Sequence, residues 1–208
     1  MIIAIDGPAA SGKGTLARKV AGHFGLRYLD TGALYRAVAR DTLARGFRVN
    51  DTWAVVAMAR SLDPESLNDE GLRDTGIGEA ASVVARIPEV RAALLDYQRR
   101  FARDASGAVL DGRDIGTVVC PDADAKLFVT ATAEVRAERR YKERVALGES
   151  ITLPEVLTLI HERDARDSGR KASPMRPASD AHLLDTTNLD IPAALDAAVC
   201  AIKRKINQ

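Results

Sequence analysis

"GPAASGKGT" runs from Gly7 to Thr15, directly after the apolar stretch Ile2–Ile5 and Asp6. Its spacing meets the phosphate-loop pattern G-x-x-x-x-G-K-[ST] at Gly7, Gly12 and Lys13, but Gly14 stands where the pattern has a hydroxyl, and Thr15 brings one a residue later. A β-branched strand, a glycine turn and a helix through "GKGTLARKVAGHFG", closed by Gly25, follow in that order. Such a turn aims backbone N–H groups inward at the start of a helix, where the helix dipole adds partial positive charge. Gly7, Pro8, Ala9, Ala10, Ser11, Gly12, Lys13, Gly14 and Thr15 are therefore the candidate cradle for a nucleotide's phosphates, with Lys13 as its point charge. A turn that only permits close packing shares the glycines; strand context, spacing and lysine together favour phosphate. With Gly14 after Lys13, a magnesium ion loses its usual hydroxyl ligand and would be held mainly by phosphates and water, which leaves Thr15 for the α-phosphate.

Outward from this loop, further short apolar runs occur at 28–30, 108–111, 125–131 and 182–187. Helical patterns separate them at Gly32–Arg45, Thr52–Leu62, Glu89–Asp104, Ala133–Leu147, Leu153–Ala165 and Ile191–Lys205. Strands alternating with helices give an α/β fold, a parallel sheet covered on both faces. Two segments interrupt the alternation: Leu62–Gly78 is polar and turn-rich, and Arg170–Ala181 holds two prolines and little that packs. Both lie between elements the sheet needs, so they suit connections beside a cleft or plain surface loops better than domain boundaries.

The chain's 208 residues, 46% of them hydrophobic, suffice for one sizeable core. No apolar run approaches the ~18 residues of a membrane span, and none at the start has the length or basic flank of a secretion signal. A cytoplasmic protein without a membrane partner is expected. Cys120 and Cys200 belong to no disulfide or zinc pattern. A net charge of +1 argues against a general nucleic-acid binder. Only seven of the 30 cationic side chains are lysine; the arginine excess suits gripping phosphate oxygens in pairs, and a GC-rich genome would produce it equally.

The loop's G-K-G-T ending is the habit of nucleoside monophosphate kinases. "LDTGALYR" (29–36), "ASVVARIPEVR" (81–91), "DGRDIGTVVCPDADAKLFVTA" (111–131), "RAERR" (136–140), "ERDARDSGR" (162–170) and "LLDTT" (183–187) follow it in order. Together they resemble the cytidylate kinase family over nearly the whole chain. The resemblance implies a three-layer α/β/α P-loop fold on a five-stranded parallel sheet, in a single kinase domain over 1–208. Its core would occupy about 1–31, 105–140 and 171–208, a monophosphate-binding flap about 32–104 and a short lid about 141–170. The family often carries a longer flap with a small antiparallel sheet, so this flap is expected to be trimmed. The implied reaction moves the γ-phosphoryl group of ATP, with Mg²⁺, to CMP and dCMP in a monomeric enzyme.

Phosphoryl transfer between nucleotides crowds negative charge, so its catalysis is mostly positioning and neutralisation. Convergent cations are the residues to look for. Arg163, Arg166 and Arg170 recur at helical spacing, with Asp167 on the same side as Arg163; exposed helices laced with ion pairs share this pattern. Arg136, Arg139, Arg140 and Arg144 make a second stripe open to the same two readings. Lys13, Arg163, Arg170 and Arg139 are the catalytic candidates. Cytosine offers an amino donor at N4 and acceptors at N3 and O2. Asp114 suits the first, and Ser82 and Arg91 the others, although either could be a plain helix-surface residue. Thr31, Arg36 and Arg113 are candidates for the monophosphate; the resemblance implies Asp167 and Arg163 at its ribose and phosphate side, and Arg170 is a further candidate for binding substrate. Arg113, between two aspartates, could instead pair internally. Asp111 suits loop organisation or water on magnesium as well as substrate contact. A kinase for AMP or shikimate is the nearest rival, and a P-loop switch module the rival of another class. Such switches hold magnesium through the hydroxyl that Gly14 removes.

Overall fold

The computed structural model describes residues 1–207, with side chains given for all but Asn68, Glu70, Arg73 and Thr75. Five strands, β1 (Ile2–Asp6), β2 (Arg27–Asp30), β3 (Ala108–Gly112), β4 (Ala125–Thr130) and β5 (His182–Asp185), form one parallel sheet in the order β2-β3-β1-β4-β5. β1 lies between β3 and β4, with Ile5 opposite Asp111 and Leu127. Ile3, Ala4 and Ile5 are buried in succession, the continuous apolar run of a strand covered on both faces, and the buried Asp6 ends it. The helices are α1 (Lys13–Phe24), α2 (Thr31–Ala44), α3 (Thr52–Arg60), α4 (Thr75–Val84), α5 (Pro88–Ala102), α6 (Ala133–Ala146), α7 (Leu153–Ser168) and α8 (Ile191–Ile206).

The chain divides into two compact units, one of residues 1–29 and 102–208, the other of residues 30–101. In the first, Ile3, Ile5, Val109, Leu127 and Val129 of the sheet pack with Leu16 and Val20 of α1 and Ala198 and Ile202 of α8. α6 and α7 pair beside them through Ala137, Val156 and Ile160. The second unit has its own core, in which Leu34 and Val38 of α2 meet Val55 of α3, Val84 of α4 and Val90 and Leu94 of α5.

Within Leu62–Gly78 the structure departs from a plain connection. Two short 3-10 turns, Pro64–Asn68 and Glu70–Arg73, lead into α4, which already includes Thr75–Gly78. Asp63, Asp69 and Asp74 accept from the backbone N–H of Glu65, Gly71 and Gly76, so the acidic residues that look like loop are caps, the first two of turns too brief to show a period and the third of α4. α7 runs on to Ser168, three residues past the expected Ala165, and a π turn occupies Ile115–Val119.

Candidate active site

The strand–turn–helix expected at the N-terminus is present. Gly7 crosses β4 so closely that a Cβ there would stand 2.0 Å from the Val129 carbonyl oxygen, and its φ of +149° leaves glycine the natural choice. Gly12 caps α1 at φ +83°, and Ala10 also has positive φ, at +59°. Positive φ at alternate positions turns successive N–H groups toward one side, the concave backbone form that collects them for an anion.

Lys13 Nζ lies 3.5 Å from Asp111 Oδ1, with both side chains nearly buried. The Tyr28 hydroxyl donates to Asp111 Oδ2 at 3.4 Å. That same oxygen would be 3.1 Å from a Cβ at Gly14. Asp111 thus fills the space beside the loop that a hydroxyl residue at 14 would need. Among the readings open for Asp111, loop organisation has a direct contact behind it.

Behind the loop stand two arginines of α6. Arg136 donates to the carbonyls of Ala9 at 3.3 Å and Ala131 at 2.9 Å, and its fork meets the Asp164 carboxylate at 3.1 and 2.6 Å. Arg139 donates to Ser11 O, Thr186 Oγ1 and Thr186 O, the last at 2.7 Å. Arg140 and Arg144 pair with Glu143 and Glu149. The stripe on α6 is therefore engaged, partly with the loop and partly in local ion pairs.

Asp167, 1% exposed, gathers the cations of the next group. Arg113 Nε donates to its Oδ2 at 3.0 Å and Arg170 to its Oδ1. Burial by itself would raise the Asp167 pKa, but the charges of Arg113, Arg170 and Arg163 and the Arg113 hydrogen bond hold it below the ordinary carboxylate value. Arg113 pairs across the fold with Asp167 and not merely with a neighbouring aspartate. Arg166 makes the local pair, 3.7 Å from Glu162. The charge run is thus mixed, and α7 stops short of its last member: Arg166 serves the helix surface, Arg163 adds positive charge near the buried Asp167, and Arg170, two residues past the end of α7 at Ser168, pairs with that carboxylate.

Asp114, 5% exposed, opens the π turn, its carbonyl accepting from Val118 and Val119 N–H. The turn is held from below by Asp6, which accepts from Ile115 and Gly116 N–H at 2.8 Å each. Burial pushes the Asp6 pKa up to about 7, against the two backbone bonds and with help from the charges of Asp114 and Asp111.

In the unit of residues 30–101, Asp30 caps α2 through Ala33 N–H and pairs with Arg36 at 2.7 Å, with Thr31 buried beside it in the first turn. Arg91 donates to the Ala85 carbonyl and lies 5.6 Å from the Tyr35 ring centroid. Ser82 is buried on α4, and its Oγ has no hydrogen-bond partner among the described residues. Sequence reasoning missed Tyr28, Asp30, Tyr35, Asp164 and Thr186 as supports. Asp30 was findable, since an aspartate before "TGAL" is a cap signal; the others depend on partners far along the chain.

A sequence model of the family described as cytidylate kinase matches residues 3–204. A cytidylate kinase of Methylocella silvestris is 59% identical, with 98% of this chain and 94% of that protein covered. One of Azorhizobium caulinodans is also 59% identical, over 98% of each chain. Among solved structures, an uncharacterised protein of Eubacterium ventriosum aligns at a TM-score of 0.60 with 14% identity, over 98% of both chains. A gluconokinase of Sinorhizobium meliloti aligns at 0.53 with 14% identity, over 99% of this chain and 93% of that one. These structural likenesses speak for the fold alone.

Proposed function

The chain belongs to the cytidylate kinase family, and from that premise we propose that it transfers the γ-phosphoryl group of ATP to CMP, and likewise to dCMP, giving ADP and the corresponding diphosphate. The observation that carries the reading is the pairing, in one unit, of a phosphate loop with three arginines drawn to Asp167. Two polyphosphates brought together need such a concentration of fixed positive charge, held in place before the reaction.

In this reading the loop's N–H groups and Lys13 hold the donor phosphates, with Thr15 at the α-phosphate. Arg163 and Arg170 neutralise charge on the transferring group. Arg36, Arg113 and Thr31 take the acceptor's phosphate, and Asp167 with Arg163 its ribose side. Asp114 accepts from cytosine N4, while Ser82 and Arg91 donate to N3 and O2; the partnerless Ser82 hydroxyl supports this, since a buried donor without an acceptor is costly. Arg139 acts through the loop, because its guanidinium is taken up by Ser11 and Thr186. The Asp111 carboxylate beside the loop suits water on Mg²⁺ brought in on ATP and held mainly by phosphates and water; bound there, the ion would neutralise phosphate charge. Residues 32–104 serve as the monophosphate flap and 141–170 as the lid, which limits transfer to water. No helix among the described residues is long and apolar enough to cross a membrane, and a monomer acting in the cytoplasm completes the proposal.

A coupled assay of ADP formation with CMP, dCMP, UMP, AMP or no acceptor tests it. CMP and dCMP should give the highest kcat/KM and the acceptor-free reaction should be slow, because the acceptor helps to assemble the site. Preference for AMP would move the assignment to another kinase. ATP hydrolysis as fast without an acceptor would move it to a switch.

A further inference from the structure

Arg136 is 5% exposed and spends its guanidinium on three elements at once: Ala9 O in the phosphate loop, Ala131 O between β4 and α6, and both oxygens of Asp164 on α7. In a trans peptide the C=O of one residue and the N–H of the next point in opposite directions. Gripping Ala9 O from behind therefore turns the Ala10 N–H away from Arg136. The bonds from Arg139 and Thr186 to Ser11 O do the same for the Gly12 N–H. Ala10, a non-glycine residue at φ +59°, occupies a conformation that costs free energy on its own, so something must hold the peptide there.

The other end of Arg136 matters as much. Asp164 directly follows Arg163 and lies one turn before Asp167, on the helix that carries both. A part-buried, two-pronged arginine–carboxylate contact fixes orientation as well as distance, which a lysine's single ammonium cannot do.

We propose that Arg136, braced by Asp164, is a positioning residue for phosphoryl transfer: it sets the Ala9–Ala10 peptide of the phosphate loop and the register of α7 against that loop. It touches no reacting atom. The proposal rests on the kinase reading above, and the acceptor panel on the wild-type enzyme tests that reading separately.

The test compares Arg136→Lys, Asp164→Asn and the double variant with the wild type in kcat, in KM for CMP, in Kd for ATP by titration calorimetry, and in Tm. Asp164→Asn keeps the backbone contacts of Arg136 and loosens only α7, so kcat should fall about tenfold with ATP binding nearly unchanged. Arg136→Lys should weaken ATP binding about tenfold and lower kcat as well, because one ammonium cannot serve Ala9, Ala131 and Asp164 together. In the double variant kcat should be no lower than in Arg136→Lys alone, since the shared contact is already lost. Wild-type kcat and Kd in folded variants overturn the proposal, and so does a double variant whose losses in kcat multiply. If Arg136→Lys fails to fold, Asp164→Asn decides alone, its partly exposed side chain being safe to alter: unchanged kcat overturns the idea, and reduced kcat at unchanged ATP affinity upholds it.

Discussion

A Cβ at Gly14 would sit 3.1 Å from Asp111 Oδ2, an oxygen that also takes the Tyr28 hydroxyl, while Asp111 Oδ1 faces Lys13. Restoring the common hydroxyl with Gly14→Ser therefore presses a side chain into an occupied corner. It should cost about 1–3 kcal/mol of stability and lower kcat as the Lys13–Asp111 pair is displaced. Paired melting and turnover measurements decide this, and a variant matching the wild type in both would remove the steric account. Asp114 permits a finer experiment, because the bonds that hold the π turn are made by its backbone carbonyl and not by its side chain. Uracil replaces the N4 donor by a carbonyl oxygen, so a carboxylate there faces an acceptor, a mismatch commonly worth ~1–3 kcal/mol. With Asp114→Asn, whose amide can donate, activity on CMP should drop and the CMP:UMP ratio of kcat/KM should fall with it. A ratio that stays put while both activities decline would confine Asp114 to supporting the loop.

At the scale of elements, aspartate does much of the capping: Asp30, Asp51 and Asp190 accept from the third N–H of α2, α3 and α8. Asp30 and Asp51 make the same bond, but only Asp30 also holds Arg36. Each changed to alanine should lose about 1 kcal/mol of stability. Only Asp30→Ala should also alter KM for CMP, because it releases the arginine assigned to the acceptor's phosphate. Equal KM values in the two variants would argue against that role for Arg36. The strands and long helices were legible because a buried strand's apolar run and a long helix's repeat are written locally. The start of α4 was not, since Asp63 and Asp69 cap turns shorter than the window in which a period shows, and these run directly into the first turn of α4 behind its cap Asp74. The loop was legible for the same local reason, its donors being its own backbone. Arg113 and Asp167, by contrast, stand 54 residues apart in sequence, and nothing in "DGRD" tells that its arginine will reach a carboxylate on α7.

Across the whole molecule, two buried aspartates make stability depend on pH in opposite senses. Asp167 is held below its ordinary pKa, so the folded state binds fewer protons than the unfolded; its contribution is present above that ordinary value and is lost as the pH falls through the folded pKa. Asp6 is the reverse, its pKa pushed from 3.8 to about 7 chiefly by burial. Between those values the folded chain keeps a proton that the unfolded chain has released. The stability this group confers is therefore complete at acid pH and declines as the pH rises through about 7. A shift of that size corresponds to roughly 4 kcal/mol. Asp6→Asn removes the titration, at the expense of one hydrogen bond, because the amide NH₂ must face one of the two N–H donors of Ile115 and Gly116. Urea unfolding from about pH 5 to about pH 8 should then find the variant less stable than the wild type at the acid end, with the gap narrowing as the pH rises. Parallel curves over that range would mean that Asp6 is ionised throughout, and that the two backbone bonds outweigh burial at the end of β1.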